Sequence, residues 1–326
     1  MTKKRQIIEK IISSKVYDIA QVTPIDKASN LSKSLKNNIF LKREDLQPTH
    51  SFKVRGSYNK IEHLYRKKNV QHVVTASAGN HAQGVAKASK CYGTEATIIM
   101  PKDSPSIKIK KTQSLNPKII FYDRESEIRE EIGAKIADKN GLTIIKPYDA
   151  LETIYGQGTA AIEAIKQTPN SFDIALICAG GGGLTAGCSI ILKDYNPNIQ
   201  IFTTEPEEWN DQERSYTSGT IQTAPASVSG LCDGLLTPEP GEIPFSINLA
   251  LGIQGLSCEE QYIFDAMQLA KEAFAVELEP SGAIALANLI KHKDKFQKKN
   301  VFLTFSGGNV DPEVLNECLA KAKLGL

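Results

Sequence analysis

Short apolar runs alternate with longer segments of helical periodicity along most of this chain. Short runs between turn residues are typical of buried strands, and apolar residues three or four positions apart are typical of amphipathic helices. Strands are therefore predicted at residues 71–75, 95–100, 119–122, 142–145, 173–178, 200–204 and 301–305, and helices at 81–90, 106–114, 125–139, 154–166, 184–192, 259–274, 282–292 and 312–323. This alternation predicts right-handed βαβ units, parallel sheets and an α/β fold.

Two segments depart from the alternation. Residues 1–15 place four isoleucines, between positions 7 and 12, on one face among Lys, Arg and Glu, which predicts an amphipathic helix rather than a secretory signal. Residues 205–248 are rich in Pro, Gly, Ser and Thr and show no clear periodicity. Such long segments are usually functional or wrap the protein body.

Length, charge and cysteine use narrow the class of protein. A chain of 326 residues exceeds the usual single core, so two domains are expected. The net charge of +2 gives no large single-sign field, which argues against nucleic acid or an anionic membrane as partner, and no apolar stretch is long enough to span a bilayer. None of the six cysteines forms a C-x-x-C pair, so reduced, buried thiols in a cytoplasmic protein are expected.

Lys53 is the most informative residue. It follows an apparent strand with a charged edge, at 38–45, and lies in Ser51 to Gly56 at what is predicted to be the first turn of a helix. Three glycine-containing loops come later in the chain, and their backbone N–H groups can bind anions. One amine and three such loops predict a phosphorylated aldehyde cofactor held by the lysine as a Schiff base.

The first of these loops is Gly180 to Gly183, between a predicted strand and a predicted helix. Consecutive glycines let N–H groups converge on an anion, and the helix adds its positive end, so the run predicts a phosphate cup. A tight turn alone would need only one or two glycines. No Gly-Lys-Ser/Thr follows, which excludes a P-loop.

A rival interpretation is a dinucleotide site. Gly181, Gly183 and Ala186 satisfy G-x-G-x-x-A, and Glu205 lies at about the expected distance for a ribose contact. The match would make the protein a nicotinamide-dependent oxidoreductase. It lies mid-chain, however, and leaves Lys53 unexplained.

The other two loops also end predicted strands. Ser77 to His81 could bind a carboxylate, with the Asn80 amide facing a ring oxygen, and simple helix capping is an equally good explanation. Ser306 to Asn309 could place a neutral hydroxyl on a pyridine nitrogen, or form only a turn.

A cation site is a further candidate. Glu205 and Asp211 flank a short acidic loop directly after a predicted strand. Two carboxylates and a backbone carbonyl suit Mg²⁺ or Ca²⁺. From spacing alone, a solvated acidic loop is the better interpretation.

Together these motifs resemble the pyridoxal-phosphate enzymes of the threonine dehydratase and serine racemase group, which have the tryptophan-synthase-β-like fold. The resemblance runs nearly end to end. It covers Thr23-Pro24, Leu41 to Asp45, Ser51 to Gly56, Ser77 to Gly84, Gly156 to Thr159, Gly180 to Leu184, Glu279 to Gly282 and Ser306 to Asn309.

The resemblance implies a role for each motif. Lys53 is implied to be the catalytic lysine, and Phe52 and Asn80 to flank the ring of pyridoxal 5'-phosphate. The other implied sites are the phosphate cup (Gly180, Gly181, Gly182, Gly183 and Leu184), the contact with the pyridine nitrogen (Ser306), the substrate-carboxylate loop (Ser77, Ala78, Gly79, Asn80 and His81) and a cation site, for Mg²⁺ or another ion (Glu205, the carbonyl of Trp209, and Asp211).

One position separates the activities within this group. Serine racemases place a serine, a second acid/base, two residues before the ring-flanking asparagine. Ala78 occupies that position and has no proton to give. The resemblance therefore implies an L-threonine and L-serine ammonia-lyase, with serine racemase and hydroxyaspartate dehydratase as alternatives. The segment from Cys232 to Pro238 also resembles the dehydratases.

The resemblance implies the organisation as well. A large cofactor-binding domain at 1–65 and 149–326 and a small mobile domain at 66–148 are expected, with the cofactor in the cleft between them. A C-terminal regulatory domain is present in the feedback-regulated members, and the chain is expected to be a short form without it. An amino-acid substrate and a homodimer or homotetramer are also implied.

Overall fold

Ten strands form two sheets in the computed structural model, which describes residues 3–168, 172–224 and 229–324. The strands are β1 (Ile25–Lys27), β2 (Asn38–Arg43), β3 (His72–Ala76), β4 (Glu95–Pro101), β5 (Lys118–Tyr122), β6 (Thr143–Ile144), β7 (Ile174–Cys178), β8 (Gln200–Pro206), β9 (Gln254–Cys258) and β10 (Asn300–Phe305). The large sheet has the order β1-β2-β10-β7-β8-β9, and the small sheet has the order β5-β4-β3-β6.

Thirteen α-helices among the described residues surround these sheets. They are α1 (Lys3–Ile12), α2 (Ser29–Ser34), α3 (Lys53–Lys68), α4 (Asn80–Tyr92), α5 (Ser106–Gln113), α6 (Arg129–Asn140), α7 (Leu151–Gln167), α8 (Gly183–Tyr195), α9 (Asp211–Ser218), α10 (Glu242–Ala250), α11 (Glu260–Phe274), α12 (Pro280–Lys291) and α13 (Pro312–Lys321). Short 3-10 helices lie at Val16–Asp18, Glu44–Leu46, Glu207–Trp209, Asp233–Leu235 and Lys293–Phe296.

Strand pairing confirms the predicted parallel α/β architecture. β1 runs antiparallel to β2, with Ile25 opposite Lys42, and the other paired strands among the described residues are parallel. All five residues of β7 are buried, as expected for a central parallel strand with helices on both faces.

The small sheet has an apolar layer on each face. Val73 and Ile98 pack into a cluster with residues of α3 and α4, whereas Val74 and Ile99 pack with Ala137 of α6. Successive strand residues point to opposite faces, so the continuous apolar runs of β3 and β4 supply both layers. The largest cluster lies around the large sheet.

Two predictions about helices need correction. The helix predicted at 125–139 begins at Arg129, because the side chains of Asp123 and Glu127 bond to the backbone N–H groups of Glu125 and Asp123 and form a turn instead. The segment 205–248, which showed no periodicity, contains α9, most of α10 and two 3-10 helices. Residues 225–228 of that segment lie outside the described residues.

Besides α9 and α10, one further helix and two strands have no counterpart in the sequence prediction: α2, β1 and β9. β1 and α2 have three and six residues, too few for periodicity to emerge. β9 carries Gly255 and Ser257 where a buried strand would normally show apolar residues. The domain boundaries and the mobility of 66–148 stay predictions, although the strands of the small sheet fall inside that range.

The structure bears on two further predictions, the state of the cysteines and the lack of a membrane-spanning segment. All six cysteines are free thiols, and five are buried, but Cys91 is exposed, contrary to expectation. No helix within 3–168, 172–224 and 229–324 has both the length and the apolar character needed to cross a membrane.

Candidate active site

A single cavity gathers the predicted cofactor and substrate residues. Its lining includes Phe52, Lys53, residues 77–81, residues 180–184 and Ser306. These residues lie at the carboxyl ends of β3, β7 and β10 and at the start of α3, because loops after parallel strands meet at one edge of each sheet. Their individual roles stay predictions, but the chain brings them together.

Lys53 is the first residue of α3 and is half-buried in this cavity. The N–H of Phe52 donates to the carbonyl of Ser306 at 3.2 Å, which ties the start of the helix to the end of β10. Lys53 Nζ donates to the carbonyl of Pro147 at 3.2 Å and lies 5.1 Å from the ring centroid of Phe52. Burial lowers the pKa of Lys53 from 10.5 to about 8. Near neutral pH this amine is therefore deprotonated far more often than an ordinary lysine.

The glycine loop joins β7 to α8. Gly182 has φ of +83°, which favours glycine, and a Cβ on Gly181 would lie 2.2 Å from the ring of Tyr148. Conformation and close packing therefore each demand glycine. Because the loop ends at the N-terminus of the 13-residue helix α8, it offers a positive dipole end to an anion.

The loop after β3 shows the capping that was one of its two interpretations. Ser77 Oγ accepts the N–H groups of Gly79 and Ala82, both at 3.2 Å, just where α4 begins at Asn80. Ser77 itself therefore uses the N–H group of Gly79 in the loop and that of Ala82 in the first turn of α4. The substrate-carboxylate role of the loop stays a prediction.

His81 belongs to the same loop, but its side chain has protein partners. Its Nδ1 lies 3.2 Å from Ser57 Oγ, and its Nε2 lies 3.1 Å from the carbonyl of Ile145. Burial, and then the nearby Lys53 amine, lower the pKa of His81 to about 3. The imidazole is therefore neutral and anchors α4 to the segment after β6.

Ser306 directly follows β10 and carries a buried, neutral hydroxyl. Its Oγ donates to the carbonyl of Ser281 at 3.3 Å. The neighbouring thiol of Cys178 is neutral too, because burial raises its pKa to about 11. A neutral hydroxyl at this end of the cavity fits the predicted contact with a pyridine nitrogen.

Several residues of the cavity were missed as site residues by the sequence analysis. Lys108 Nζ lies 2.7 Å from Asp233 Oδ2 and 2.7 Å from Glu279 Oε2. Burial lowers the pKa of Lys108, but these two carboxylates outweigh it and raise the pKa above its usual value. Arg129 and Tyr148 also line the cavity. In the sequence, Lys108 is one of several lysines on a charged helix, and nothing distinguishes it.

The chain matches the family of pyridoxal-phosphate dependent enzymes over residues 16–307. The match covers most of the chain. The chain belongs to this family.

Its relatives include enzymes with three different names. The chain is 33% identical over 301 residues to serine racemase of Schizosaccharomyces pombe, covering 92% of this chain and 93% of that protein. It is 33% identical over 303 residues to L-threo-3-hydroxyaspartate ammonia-lyase of a Pseudomonas species, covering 92% of this chain and 94% of that protein. The structure of the processed threonine deaminase isoform 2 of Solanum lycopersicum superposes on this chain with a TM-score of 0.92 at 32% identity. The superposition covers 99% of this chain and 94% of that protein.

These likenesses confirm the predicted family and its tryptophan-synthase-β-like fold. The chain is a pyridoxal-phosphate-dependent, dehydratase-like enzyme of the carbon–nitrogen lyase class. The rival dinucleotide interpretation is wrong, because the glycine run that prompted it lines the same cavity as Lys53 in a member of this family.

The predicted cation residues lie apart from this cavity. Glu205 is in β8, Trp209 ends a 3-10 helix, and Asp211 begins α9. Both oxygens of Glu205 accept N–H groups, from Gln212 and Glu213, at 2.9 Å. Burial raises the pKa of Asp211 to about 8, and burial followed by the charge of Asp211 raises that of Glu205. Within the described residues, no group of three or more His, Cys, Asp or Glu side chains surrounds a metal position.

Proposed function

We propose that this protein is an L-threonine and L-serine ammonia-lyase, which releases 2-ketobutyrate or pyruvate together with ammonia. The proposal rests on which residues share the cavity with Lys53. An amine with a pKa of about 8 shares its pocket with Ala78, a residue that cannot donate or accept a proton. Ala78 occupies the position where racemases have their second acid/base, and this favours elimination. The likeness to tomato threonine deaminase supports the same conclusion.

Different residues of the cavity would bind different parts of the cofactor. The glycine loop and the N-terminus of α8 would take the phosphate, Phe52 and Asn80 would flank the ring, and Ser306 would meet the pyridine nitrogen without protonating it. Bound pyridoxal phosphate supplies an electron sink that makes the α-proton of the substrate acidic.

Lys53 Nζ takes that α-proton as general base. Its pKa of about 8 keeps a useful fraction of the amine neutral near pH 7, where an ordinary lysine is almost entirely charged. The β-hydroxyl then leaves as water, and the proton that Lys53 has taken from the α-carbon balances the proton that the departing hydroxide gains. The enamine that is released takes up one water and hydrolyses to the 2-keto acid and ammonia, so the net reaction converts the amino acid into keto acid and ammonia.

Hydroxyaspartate elimination is the second candidate function. Arg129 lines the cavity and offers a guanidinium that suits a second carboxylate on the substrate. The relative from Pseudomonas is named for that substrate. Racemisation has no comparable support, since Ala78, at the position of the second acid/base in racemases, has no proton to give.

Purified protein loaded with pyridoxal phosphate is expected to release 2-ketobutyrate from L-threonine, and pyruvate from L-serine. The measurement is keto-acid formation on L-threonine, L-serine and L-threo-3-hydroxyaspartate in parallel, with chiral analysis of the remaining amino acid. Keto acid from hydroxyaspartate alone would overturn the threonine assignment in favour of the second candidate. Conversion of L-serine to D-serine without keto acid would establish racemisation instead.

We also propose that Mg²⁺ binds at Glu205, Asp211 and the carbonyl of Trp209. Asp211 Oδ2 is buried without a hydrogen-bond partner among the described residues, so a cation would offset two adjacent buried carboxylates. A hundredfold excess of Mg²⁺ over its Kd is expected to raise the melting temperature of chelator-treated protein by about 4 °C. Asp211→Asn should remove the effect. An unchanged melting temperature across a Mg²⁺ titration would rule the site out.

A further inference from the structure

Helix α5 lies in the small-sheet part of the chain, yet its polar contacts reach loops of the large sheet. The carboxylate of Asp311, beyond β10, accepts the backbone N–H groups of Ser106 and Ile107, both at 2.8 Å. It also accepts the hydroxyl of Ser106 at 2.9 Å. These are the first N–H groups of α5, so a distant carboxylate caps the positive end of this helix.

Lys108 makes the second contact between α5 and the large sheet. Its side chain is only 1% exposed, and it joins Asp233, in a 3-10 helix, to Glu279, which immediately precedes α12. Glu279 Oε1 in turn accepts Asn80 Nδ2 at 2.6 Å. The ammonium on α5 is thereby linked through one carboxylate to the residue predicted to flank the cofactor ring.

Lys111, one helical turn further along α5, makes a parallel connection. Its Nζ donates to Asn309 Oδ1 at 2.7 Å. Asn309 Nδ2 donates to the carbonyl of Thr49 at 2.9 Å and to Asn80 Oδ1 at 2.8 Å. Lys111 is half-buried, and its hydrogen-bonded path to Asn80 runs through Asn309.

The side-chain amide of Asn80 is therefore held at both ends. Its nitrogen bonds to Glu279 and its oxygen to Asn309, and each of those partners is bonded to a lysine of α5. Because an amide has a donor end and an acceptor end, these contacts allow one orientation only. The amide nitrogen carries two N–H donors, so one remains besides the bond to Glu279.

We propose that Lys111 is a positioning residue of this enzyme: acting through Asn309, it fixes the amide of Asn80 in the orientation that contacts the cofactor, and with Lys108 and Asp311 it clamps helix α5 onto the large sheet. The inference rests on the proposed function for its substrate. The contacts that orient Asn80 belong to the chain itself.

The role of Lys111 follows from the chemistry of amides. An ammonium can only donate, so it requires the oxygen of Asn309 on its side. The carbonyl of Thr49 favours the same orientation, because it accepts from Asn309 Nδ2. Without Lys111, that neutral bond would be left to oppose a turn of the Asn309 amide that sets its oxygen against the oxygen of Asn80. Asn80 would then have to turn as well and would present oxygen to the carboxylate of Glu279. The cationic hydrogen bond of Lys111 adds to the bond with Thr49 in disfavouring these alternatives, and bonds to charged groups are the stronger ones.

The test compares Lys111→Met with Lys110→Met, a matched change at an exposed neighbour on the same helix. We expect Lys111→Met to lower kcat for keto-acid release by about fivefold to tenfold, with KM changed less than about twofold. The absorption and fluorescence of the bound cofactor should shift in the same variant. Lys111→Arg should restore most of both, and Lys110→Met should match the wild type.

A second variant shows whether Lys111 acts through Asn309. Adding Lys111→Met to Asn309→Ala should lower kcat by less than about twofold further, since the intermediary is already gone. A Lys111→Met variant with wild-type kcat and cofactor spectrum overturns the proposal. So does one that loses thermal stability but keeps the spectrum, because Lys111 would then be merely structural.

The two proposals can fail separately. The cofactor spectrum is recorded without substrate, so it reports on Asn80 whatever the reaction is. A wild-type protein that binds pyridoxal phosphate but forms no keto acid would overturn the proposed function alone. The spectral comparison of Lys111→Met with Lys110→Met would still decide the role of Lys111.

Discussion

Replacing Lys53 with alanine is expected to lower keto-acid release from L-threonine by at least about 10³-fold, because the variant loses both the covalent anchor of the cofactor and the general base. The position of Lys53 supports an effect this large. It lies at the first turn of α3, in the cavity that also contains the glycine loop and Ser306. The measurement is single-turnover and steady-state keto-acid formation with excess pyridoxal phosphate.

A direct chemical readout accompanies the loss of activity. Borohydride should fix the cofactor to wild-type protein at Lys53 and leave Lys53→Ala unlabelled, as peptide mapping would show. Lys67→Ala, at an exposed position of the same helix, is the matched control and should behave as wild type. Retained turnover in Lys53→Ala, or label at another lysine, would contradict the assignment.

The pH dependence of cofactor attachment tests the environment of the same amine. Only the neutral amine attacks an aldehyde, and burial lowers the pKa of Lys53 from 10.5 to about 8. The rate at which the apoprotein captures pyridoxal phosphate should therefore rise with pH and level off above about pH 8. A rate still climbing steeply above pH 9 would show an ordinary lysine.

The elements that the sequence predicted are those whose signals are local. Buried parallel strands appear as apolar runs because both faces are covered, which is why β7 and β10 were predicted within a residue or two of their ends. The glycine run was also recognisable in the sequence. Gly181 packs too closely against Tyr148 to carry a side chain, and Gly182 has a positive φ that favours glycine. The loops could be placed at one site because strand ends converge in this architecture.

The features of the site that were not predicted from the sequence depend on pairs of residues far apart in the chain. Lys108 and Asp233 are 125 positions apart, and only the fold brings them together in the cavity wall. The clamp of α5 depends on Asn309 and Asp311 in the same way. Helix α9 was missed for a different reason: its polar residues give no apolar stripe, and its start is stabilised by the carboxylate of Glu205 in β8.

A buried charge cluster in the first turns of α3, next to Lys53, is the second place where a large effect is expected. Arg55, two residues after Lys53, donates to Glu44 at 2.7 and 2.8 Å and to Glu163 at 2.6 and 2.8 Å. Lys42 Nζ lies 2.5 Å from Glu163. The side chains of Arg55, Lys42 and Glu44 are fully buried, and that of Glu163 is 3% exposed. Two cations thus neutralise two anions inside the protein.

Arg55→Met is expected to lower the free energy of unfolding by about 3–5 kcal/mol, because it leaves two buried carboxylates with a single lysine. Burial raises the pKa of Glu44, but Arg55 and Lys42 outweigh it and hold the pKa below its usual value. Removing Arg55 removes the larger part of that compensation. Urea unfolding of the variant and the wild type at the same pH measures the difference.

Two controls separate the buried charge from the loss of any salt bridge. Lys60 lies on the same helix as Arg55 and forms a partly exposed pair with Glu152 of α7. Lys60→Met breaks this pair and should lower the free energy of unfolding by less than about 1 kcal/mol. Adding Glu44→Gln to Arg55→Met restores neutrality and keeps the short pair of Lys42 with Glu163. The double variant should therefore be more stable than Arg55→Met. If it is less stable, uncompensated charge is not what makes Arg55 necessary, and packing of the guanidinium against α7 would be the cause instead.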